Sequence, residues 1–444
     1  MTLNAIATRG HGIRLGVTFT AVAGAALAVA ACSSDTTPSG SDGGTGGSGA
    51  STGGSSSTGG SNASTGGTSG SSSGGGTATG GAAGTATGGA TGSGGPDASV
   101  PDGGPANGDA GLDGGVVLLV VKQTNLVANM DGVAPTTDPN LLNPWGLVAN
   151  PTAGAFWVSD NHSGLATVYQ PTGGASALNV KVPGPADTDG GFTSSPTGQV
   201  FNGTAANFKG DKFIVDSEDG TIEGWQTAGS PFVLRVDNSA DSGYKGLALI
   251  TNGTAGELVA ANFHKGTVDV FDASYAPVAS PGFVDSGSPA LPGGFAPFNV
   301  AALGDSVYIA YAKQDDEKGD DVPGGGNGYV SVFKTDGTFV KRLVSGGELN
   351  SPWGLAIAPT SFGALAGALL VGNFGNGTVH AYDATTGELR GALSTSTGPL
   401  QIGGLWALVV GPKTASADYS SSVFFTAGPD GEADGIFGKL DVSP

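Results

Sequence analysis

The sequence has 444 residues, of which 83 are glycine and only 12% are charged, and its formal net charge at pH 7 is −20. This composition excludes a chain that is an ordinary globular protein throughout its length. The acidity of the chain makes nucleic acid a poor partner. Most of the excess glycine lies between Cys32 and about residue 115, so that the remainder is still long enough to fold around a sizeable core.

Residues 1–31 predict a lipoprotein signal peptide. Arg9 and Arg14 precede an apolar run that ends at Ala31 and is too short for a comfortable membrane span. The segment before Cys32 resembles the lipobox of bacterial lipoproteins, in which the cysteine is acylated after cleavage. The alternative is ordinary cleavage beside an unmodified Cys32. The pattern favours an exported bacterial protein, attached to the lipid bilayer of the cell envelope at the outer membrane or the cell surface.

Residues 32–115 predict a disordered tether. They are almost entirely Gly, Ser, Thr and Ala, and cannot bury enough apolar area to offset the entropy of ordering. A flexible coil of this length spans on the order of 50 Å on average. We therefore expect the remaining domain, residues 116–444, to stand clear of the lipid. Glycosylation of the Ser/Thr residues is an open alternative to a plain spacer.

A short motif opened by an aromatic residue recurs through the domain. Its copies are Pro144–Leu147, Pro297–Val300, Pro352–Leu355 and Leu405–Leu408, with looser copies at Val200–Gly203 and Tyr244–Leu247. Their spacing of about 44 to 56 residues is the range of propeller blades. The repeats predict the first strand of each of six similar units.

Two more apolar runs follow each motif, joined by turns rich in Gly, Asn and Asp. The second runs are Phe156–Val158, Phe213–Val215, Leu258–Ala260, Val307–Ile309, Leu369–Val371 and Val423–Phe425. The third runs are Ala166–Tyr169, Thr221–Gly224, Thr267–Val270, Tyr329–Val332, Thr378–Ala381 and Ile436–Lys439. Their alternation indicates antiparallel strands.

Fourth strands are predicted in five of the six units, at Leu178–Val182, Phe232–Val236, Ala276–Ala279, Phe339–Leu343 and Leu389–Leu393. The sixth unit has none before Pro444, whereas the apolar strand Val116–Val127 belongs to no repeat. We expect this N-terminal strand to complete the last unit. The fold class is therefore all-β, a six-bladed β-propeller of four-stranded antiparallel blades closed by its N-terminal strand; a solenoid would leave exposed end caps.

The Pro-Trp-Gly-Leu openings at Pro144 and Pro352 resemble a family of exported bacterial six-bladed propellers related to NHL-repeat proteins. The resemblance covers about residues 122 to 440 and implies the architecture without an activity. More distantly, the chain is similar to gluconolactonase and regucalcin-like propellers, which bind a divalent cation in the central channel. The ligands of that family cannot be assigned to residues of this sequence.

The first strands and the turns between second and third strands should meet at one channel mouth. We expect one side chain from each blade to surround it: Trp145, Phe201, Lys245, Phe298, Trp353 and Trp406. Aromatic rings beside carboxylates and amides suit sugar stacking or apolar peptide anchors. The alternative is that these rings pack the blades together.

Acidic turns are candidates for a calcium site, because hard cations take several oxygen ligands. The candidates are Asp216, Glu218, Asp315, Asp316, Asp430 and Asp434. None has the spacing of an EF-hand loop, and solvated acidic turns are the alternative. Calcium is therefore the one cofactor considered, and no cofactor is certain.

The sequence lacks the common catalytic motifs. The leading hypothesis is a non-catalytic, monomeric surface lipoprotein that presents the channel face to a glycan or protein ligand. One alternative is a calcium-dependent lactonase-like or lyase-like hydrolase. A second alternative is a structural protein of the envelope.

Overall fold

The computed structural model describes residues 116–185, 194–253 and 255–443. The predicted signal peptide, Cys32 and the predicted tether lie outside these residues. All of the described residues belong to one compact unit, Ala110–Pro444. Among them, no helix is long and apolar enough to cross a membrane.

The described residues form strands and two short 3-10 helices, Phe208–Gly210 and Thr360–Leu365. In chain order the strands are β1 (Val117–Ala128), β2 (Thr136–Thr137), β3 (Pro144–Ala149), β4 (Phe156–Asp160), β5 (Leu165–Tyr169), β6 (Val180–Lys181), β7 (Pro196–Phe201), β8 (Phe213–Ser217), β9 (Thr221–Trp225), β10 (Val233–Asp237), β11 (Tyr244–Asn252), β12 (Ala255–Asn262), β13 (Thr267–Phe271), β14 (Phe295–Leu303), β15 (Ser306–Lys313), β16 (Gly328–Lys334), β17 (Phe339–Ser345), β18 (Pro352–Ile357), β19 (Leu369–Asn373), β20 (Val379–Tyr382), β21 (Leu389–Thr395), β22 (Gly398–Pro399), β23 (Leu405–Val410), β24 (Val423–Ala427) and β25 (Ile436–Val442).

These strands form antiparallel sheets that repeat along the chain. Three sheets have four strands, β3 to β6, β7 to β10 and β14 to β17, and one has three strands, β11 to β13. The rest belong to a ten-stranded sheet, within which β18 to β21 and β23 to β25 each pair in sequence order. The prediction of an all-β fold built from four-stranded antiparallel sheets is confirmed.

Strand β1 joins the last two groups of strands. Its first part, Val117–Val120, pairs in parallel with β21, and its second part pairs antiparallel with β25, with Val121 opposite Val442. The N-terminal strand therefore supplies a fourth strand beside β23, β24 and β25, as predicted. Val127 and Ala128 on this strand are fully buried, because they pack between sheets.

The first strand of each group lies at the centre of a β-propeller. Each contacts the next in chain order, from β3 through β7, β11, β14, β18 and β23, and β23 contacts β3. Apolar side chains of neighbouring sheets pack face to face between them, as Trp157 of β4 stacks on Phe213 of β8 at 4.0 Å. The core is therefore a series of layers between sheets around a central channel.

Two predicted strands differ from the structure. The first strand of the second sheet is Pro196–Phe201, four residues earlier than the predicted Val200–Gly203. The predicted strand Ala276–Ala279 is absent, and only an isolated bridge joins Phe271 to Pro277. Pro277 has no N–H to donate, which explains why no ladder forms there.

Candidate functional site

Four of the six predicted mouth residues meet at the centre of the molecule. Trp145 and Trp406 stack at 3.5 Å between ring centroids, and the Trp353 and Phe298 rings lie 6.1 and 6.5 Å from Trp145. We call Trp145, Phe298, Trp353 and Trp406 the central aromatic cluster. The ring of Phe374, outside this cluster, stacks on that of Trp406 with 3.9 Å between centroids.

A repeated backbone irregularity places these rings. In all six first strands the pairing register shifts at this point, for example between Pro144 and Leu147 and between Pro352 and Gly354. A bulge of this kind bends the strand and redirects one side chain. The bulges thereby bring the rings of four of these residues, Trp145, Phe298, Trp353 and Trp406, into contact with one another.

The cluster is buried rather than presented to solvent. Trp145 is 2% exposed, Trp353 4%, Trp406 1%, and Phe298 is fully buried. The indole N–H of Trp406 donates to Asn143 at 2.9 Å, and that of Trp353 donates to the Lys245 carbonyl at 2.8 Å. Their faces are therefore used in packing, and a ligand has no access to stack on them.

Phe201 does not join the cluster. It lies outside the bulge, four residues past the equivalent position, and its ring packs 5.2 Å from that of Phe213. The equivalent residue is Thr197, whose hydroxyl donates to Asp216 at 2.8 Å. The sequence signal was present, because Pro196-Thr197-Gly198 keeps the Pro-x-Gly pattern of the repeats that begin at Pro144 and Pro352.

Lys245 occupies the remaining predicted position, and its side chain covers the aromatic cluster. Its ammonium group lies 5.2 Å from the Trp145 ring centroid and forms ion pairs with Glu218 at 2.5 Å and Asp320 at 3.3 Å. Burial lowers the pKa of Lys245, but the charges of Glu218 and Asp320 outweigh it and hold that pKa above its usual value. The same ion pair, acting against burial, lowers the pKa of Glu218. Lys245 is therefore a fixed positive charge.

Amide and carboxyl groups extend this network across the channel mouth. Asn161 donates to Glu218 at 2.9 Å, and Asn143 donates to Glu432 at 2.8 Å. We call Asn143, Asn161, Glu218, Lys245, Asp320 and Glu432 the polar mouth. The turns between second and third strands of three sheets supply Glu218, Asp320 and Glu432, as expected for turns that open on one face.

The proton on Glu432 makes stability depend on pH. Burial raises the pKa of Glu432 to about 7, and the charge of Glu218 acts in the same direction. Between its ordinary pKa of 4.5 and about 7, the folded state holds a proton that the unfolded chain has released. Stability therefore falls as pH rises through this window.

We expect Glu432→Gln to reduce the difference in urea midpoint between about pH 5 and about pH 7.5. A residual slope should remain, because burial also raises the pKa of Asp216 to about 7 and that of Asp321 to about 6. Exposed Glu388→Gln is the control and should keep the wild-type slope. An unchanged slope in Glu432→Gln would contradict the assignment.

The calcium candidates are dispersed, and four of the six already have hydrogen-bond or ion-pair partners. Asp216 is buried against Thr197 and the Gly198 N–H, Glu218 holds Lys245, and Asp434 accepts from Asn129 at 2.9 Å. Asp315 accepts from the Gly319 N–H of its own loop, and Asp316 and Asp430 are exposed. Within the described ranges, no three His, Cys, Asp or Glu residues form a group that could hold a metal. The residues present do not fit a calcium ion.

Sequence reasoning missed the roles of Asn143 and Glu432. Asn143 is fully buried and links the indole of Trp406 to the carboxyl of Glu432. Asn143 and Glu432 are 289 positions apart in the sequence. The available signal was positional, since Asn143 immediately precedes the first Pro-Trp-Gly motif. Asp321 was not among the candidates, yet one of its buried carboxyl oxygens has no hydrogen-bond partner among the described residues.

No family model matches the sequence. Uncharacterized proteins of Acanthamoeba polyphaga mimivirus are similar to it. One is 32% identical over 335 residues, covering 72% of this chain and 80% of that protein; a second is 32% identical over 336 residues, covering 72% and 85%. These matches do not support the NHL-repeat resemblance or the bacterial origin, which stay predictions.

Solved structures with a similar fold share little sequence with this chain. The WD40 domain of Neurospora crassa Pan2 is 10% identical, with a TM-score of 0.40. The match covers 73% of this chain and 97% of the Pan2 chain. The α-L-arabinofuranosidase of Fusarium graminearum in complex with arabinobiose is 13% identical, with a TM-score of 0.45. That match covers 68% of this chain and 93% of the enzyme chain. The Dos1 propeller is 13% identical, with a TM-score of 0.39, and covers 69% and 70%.

Proposed function

We propose that this chain, which belongs to the same family as the two uncharacterized mimivirus proteins, is a binding scaffold whose polar mouth recognises a basic segment of a protein partner. The observation that carries the proposal is the convergence of Glu218, Asp320 and Glu432 from three different sheets on one face. Fixed hydrogen-bonding and charged groups on rigid strands and short turns are typical of recognition surfaces.

We also infer that the scaffold is a closed ring of six blades. The cyclic contacts among the six first strands support this, since β23 touches β3. The pairing of β1 with β25 supports it too, because it joins the two ends of the domain in one sheet. A ring of this kind holds turns from different blades at fixed distances, which favours recognition over a large conformational change.

A basic segment is favoured over a glycan by the chemistry of the mouth. Lys245 is already committed to Glu218 and Asp320, and the side chain of Asp320 is 68% exposed. The same loop adds Asp315, Asp316 and Glu317 against the single cation Lys318, so that negative charge exceeds positive charge on this face. Because the aromatic rings are buried, the stacking that would favour a sugar is not offered.

Binding of a fluorescent nona-lysine peptide to the full chain tests the proposal. We expect measurable binding at about pH 8.5, where Glu432 is ionised, that weakens with added salt, and a loss of about tenfold in affinity in Asp320→Asn/Glu432→Gln. A nona-glutamate peptide and neutral oligosaccharides should not bind.

The matched control removes two carboxylates from the opposite end of the sheets. Asp305 and Asp336 are exposed in the turns after β14 and β16, so Asp305→Asn/Asp336→Asn changes the net charge by a similar amount away from the mouth. Nona-lysine binding should be unchanged in this variant. Equal weakening in both double variants would overturn the proposal, since it would reflect net charge alone.

The proposal includes attachment to the envelope through acylated Cys32. The lipobox-like segment before Cys32 supports it. Metabolic labelling with a fatty acid during expression in a bacterial host should label the wild type and leave Cys32→Ser unlabelled.

A further inference from the structure

The sheet of β11 to β13 is the one group that has no fourth strand among the described residues. In the other five groups the third strand pairs on its outer side with β6, β10, β17, β21 or β1. Strand β13 pairs only with β12, and a single isolated bridge, from Phe271 to Pro277, follows on its outer side. The outer edge of β13 is therefore open over residues 267–269.

Two main-chain groups of Val268 are left unpaired on this edge. Successive residues of an antiparallel strand direct their N–H and C=O alternately to the two sides. The Val270 carbonyl accepts from the Val278 N–H at 2.8 Å on the outer side, so the N–H and C=O of Val268 point outward as well. Neither has a hydrogen-bond partner among the described residues. In the sheet of β3 to β6 the equivalent residue, Ala166, pairs with Val180 of the fourth strand.

The segment that follows β13 is held on the neighbouring sheet instead. The Phe283 N–H donates to the Gly337 carbonyl at 2.8 Å, and the ring centroids of Phe283 and Phe333 are 5.7 Å apart. Asp285 forms an ion pair with Arg342 at 2.7 Å. These contacts attach the segment to β16, β17 and the turn between them, so it does not return along the edge of β13.

A groove of about 650 Å³ follows the open edge. On one side it is lined by Val268 and Phe283, which pack in the core between this sheet and the sheet of β14 to β17. On the other side it is lined by Asp269 and Asn238, and both of these side chains are hydrogen-bonded to the Tyr244 hydroxyl. Since residues from both faces of β13 line the groove, it lies where a fourth strand would run.

The two sides of the groove differ in chemistry. The side of Val268 is apolar, with Phe283, Leu291 and Tyr311. The opposite side presents the carboxylate of Asp269, and none of the lining residues is Lys, Arg or His. Because side chains of a strand alternate between its two faces, a strand that fits both sides carries apolar and basic residues in turn.

This chain itself does not supply such a strand. Residues 32–115 contain almost no large apolar side chain to fill the side of Val268. Pairing between the β13 edges of two copies would bring the Asp269 carboxylates of both copies together, in a chain whose net charge is −20. The charge and the apolar lining together favour a different protein as the occupant.

We propose that the edge of β13 binds an extended segment of a partner protein, with alternating apolar and basic residues, as an antiparallel fourth strand. The direction follows from the other five groups, in which the outer strand always runs antiparallel to the third strand. Val268 exchanges both of its free main-chain hydrogen bonds with the apolar residue opposite it, and Asp269 pairs with a neighbouring cation. Main-chain bonds supply affinity in this mode, and alternate side chains supply specificity.

A fluorescein-labelled heptapeptide, Lys-Val-Lys-Val-Lys-Val-Lys, tests the pairing by fluorescence anisotropy with the full chain. We expect saturable binding at a stoichiometry of one. N-methylation of two valines removes donors to β13 and should weaken binding by about tenfold or more, whereas N-methylation of the two inner lysines, whose N–H groups point away, should change affinity by less than about twofold. Equal binding by the two methylated peptides would overturn the proposal.

Two positions on β13 provide matched variants. Val268→Pro removes the free N–H without removing a bond to β12, and should weaken heptapeptide binding by about tenfold or more. Val268→Leu keeps the N–H, and Val116→Pro makes the same change at an exposed site before β1, so both should bind as the wild type does. Asp269→Asn should weaken binding of this peptide but not of one with Gln in place of Lys.

Hydrogen exchange of the wild type gives a readout that needs no variant. The Val268 amide should exchange about tenfold more slowly, or slower still, when the heptapeptide is bound. An unchanged exchange rate at saturating peptide would overturn the proposal.

The test also separates this edge from the polar mouth. Asp320→Asn/Glu432→Gln should leave heptapeptide affinity unchanged, and nona-lysine should not displace the peptide. Displacement by nona-lysine would place the peptide at the mouth and overturn the edge site. Dimers that form without peptide and are abolished by Val268→Pro would identify a second copy as the occupant and overturn the choice of partner.

Discussion

Trp406→Ala is expected to lower the free energy of unfolding by about 3 to 5 kcal/mol, the range for loss of a fully buried aromatic side chain. Trp406 is 1% exposed, and it stacks on Trp145 on one side and on Phe374 on the other. The substitution leaves a cavity at the point where six strands converge. It also removes the donor to Asn143, which in turn holds Glu432.

Urea denaturation followed by circular dichroism measures the change. Phe201→Ala is the comparison, because Phe201 is half-buried outside the cluster and should lose about 1 to 2 kcal/mol. Trp406→Phe should fall between the wild type and Trp406→Ala, since it fills part of the space but leaves Asn143 without the donor. A loss below about 1 kcal/mol in Trp406→Ala would show that the cluster does not hold the strands together.

Asp211→Ala should also be destabilising, by about 3 kcal/mol, because it leaves the mostly buried guanidinium of Arg235 without its partner. The fully buried Asp211 carboxylate accepts from Arg235 at 2.6 and 2.7 Å and from the Tyr275 hydroxyl at 2.6 Å. Arg235 belongs to the second sheet and Tyr275 follows the third. The carboxylate therefore links two neighbouring sheets.

The exposed pair of Lys413 and Asp418 provides the control. Their side chains are 72% and 48% exposed, and Asp418→Ala should leave the urea midpoint close to that of the wild type, because water screens this pair. The double variant Asp211→Ala/Arg235→Ala should lose less than the sum of the two single variants, because no unpaired cation is left over. Additive losses would indicate that the ion pair itself contributes little beyond packing.

Sequence patterns predicted the second and third strands well. Runs such as Phe213–Val215 are continuously apolar and end at glycine-bearing turns, and the structure places Phe213–Ser217 there. The first strand of the second sheet was misplaced, because the aromatic marker of the repeat is replaced by Thr197. At Ala276–Ala279 the error was to predict a strand that is absent. The apolar run contains Pro277, which lacks the N–H donor needed to extend a sheet.

The candidate site was predicted in position but not in exposure. The repeat predicts that Trp145, Trp353 and Trp406 lie close together, because equivalent residues of sheets arranged in a ring converge at its centre. Whether their faces meet solvent or one another depends on distances between strands, which no local pattern encodes. Pairings such as Asn143 with Glu432 likewise join opposite ends of the sequence and leave no periodic signal.

The pairing of β1 with β25 also fixes the order of events during synthesis. Val121 on β1 lies opposite Val442 on β25, the last strand of the domain to be synthesised. Strand β1 therefore has no antiparallel partner until β25 has been made, and a contact so distant in sequence carries a large entropic cost of closure. A polypeptide that lacked β25 would leave Val127 and Ala128 without their partners on that strand, and would present an exposed edge that cellular proteases can recognise.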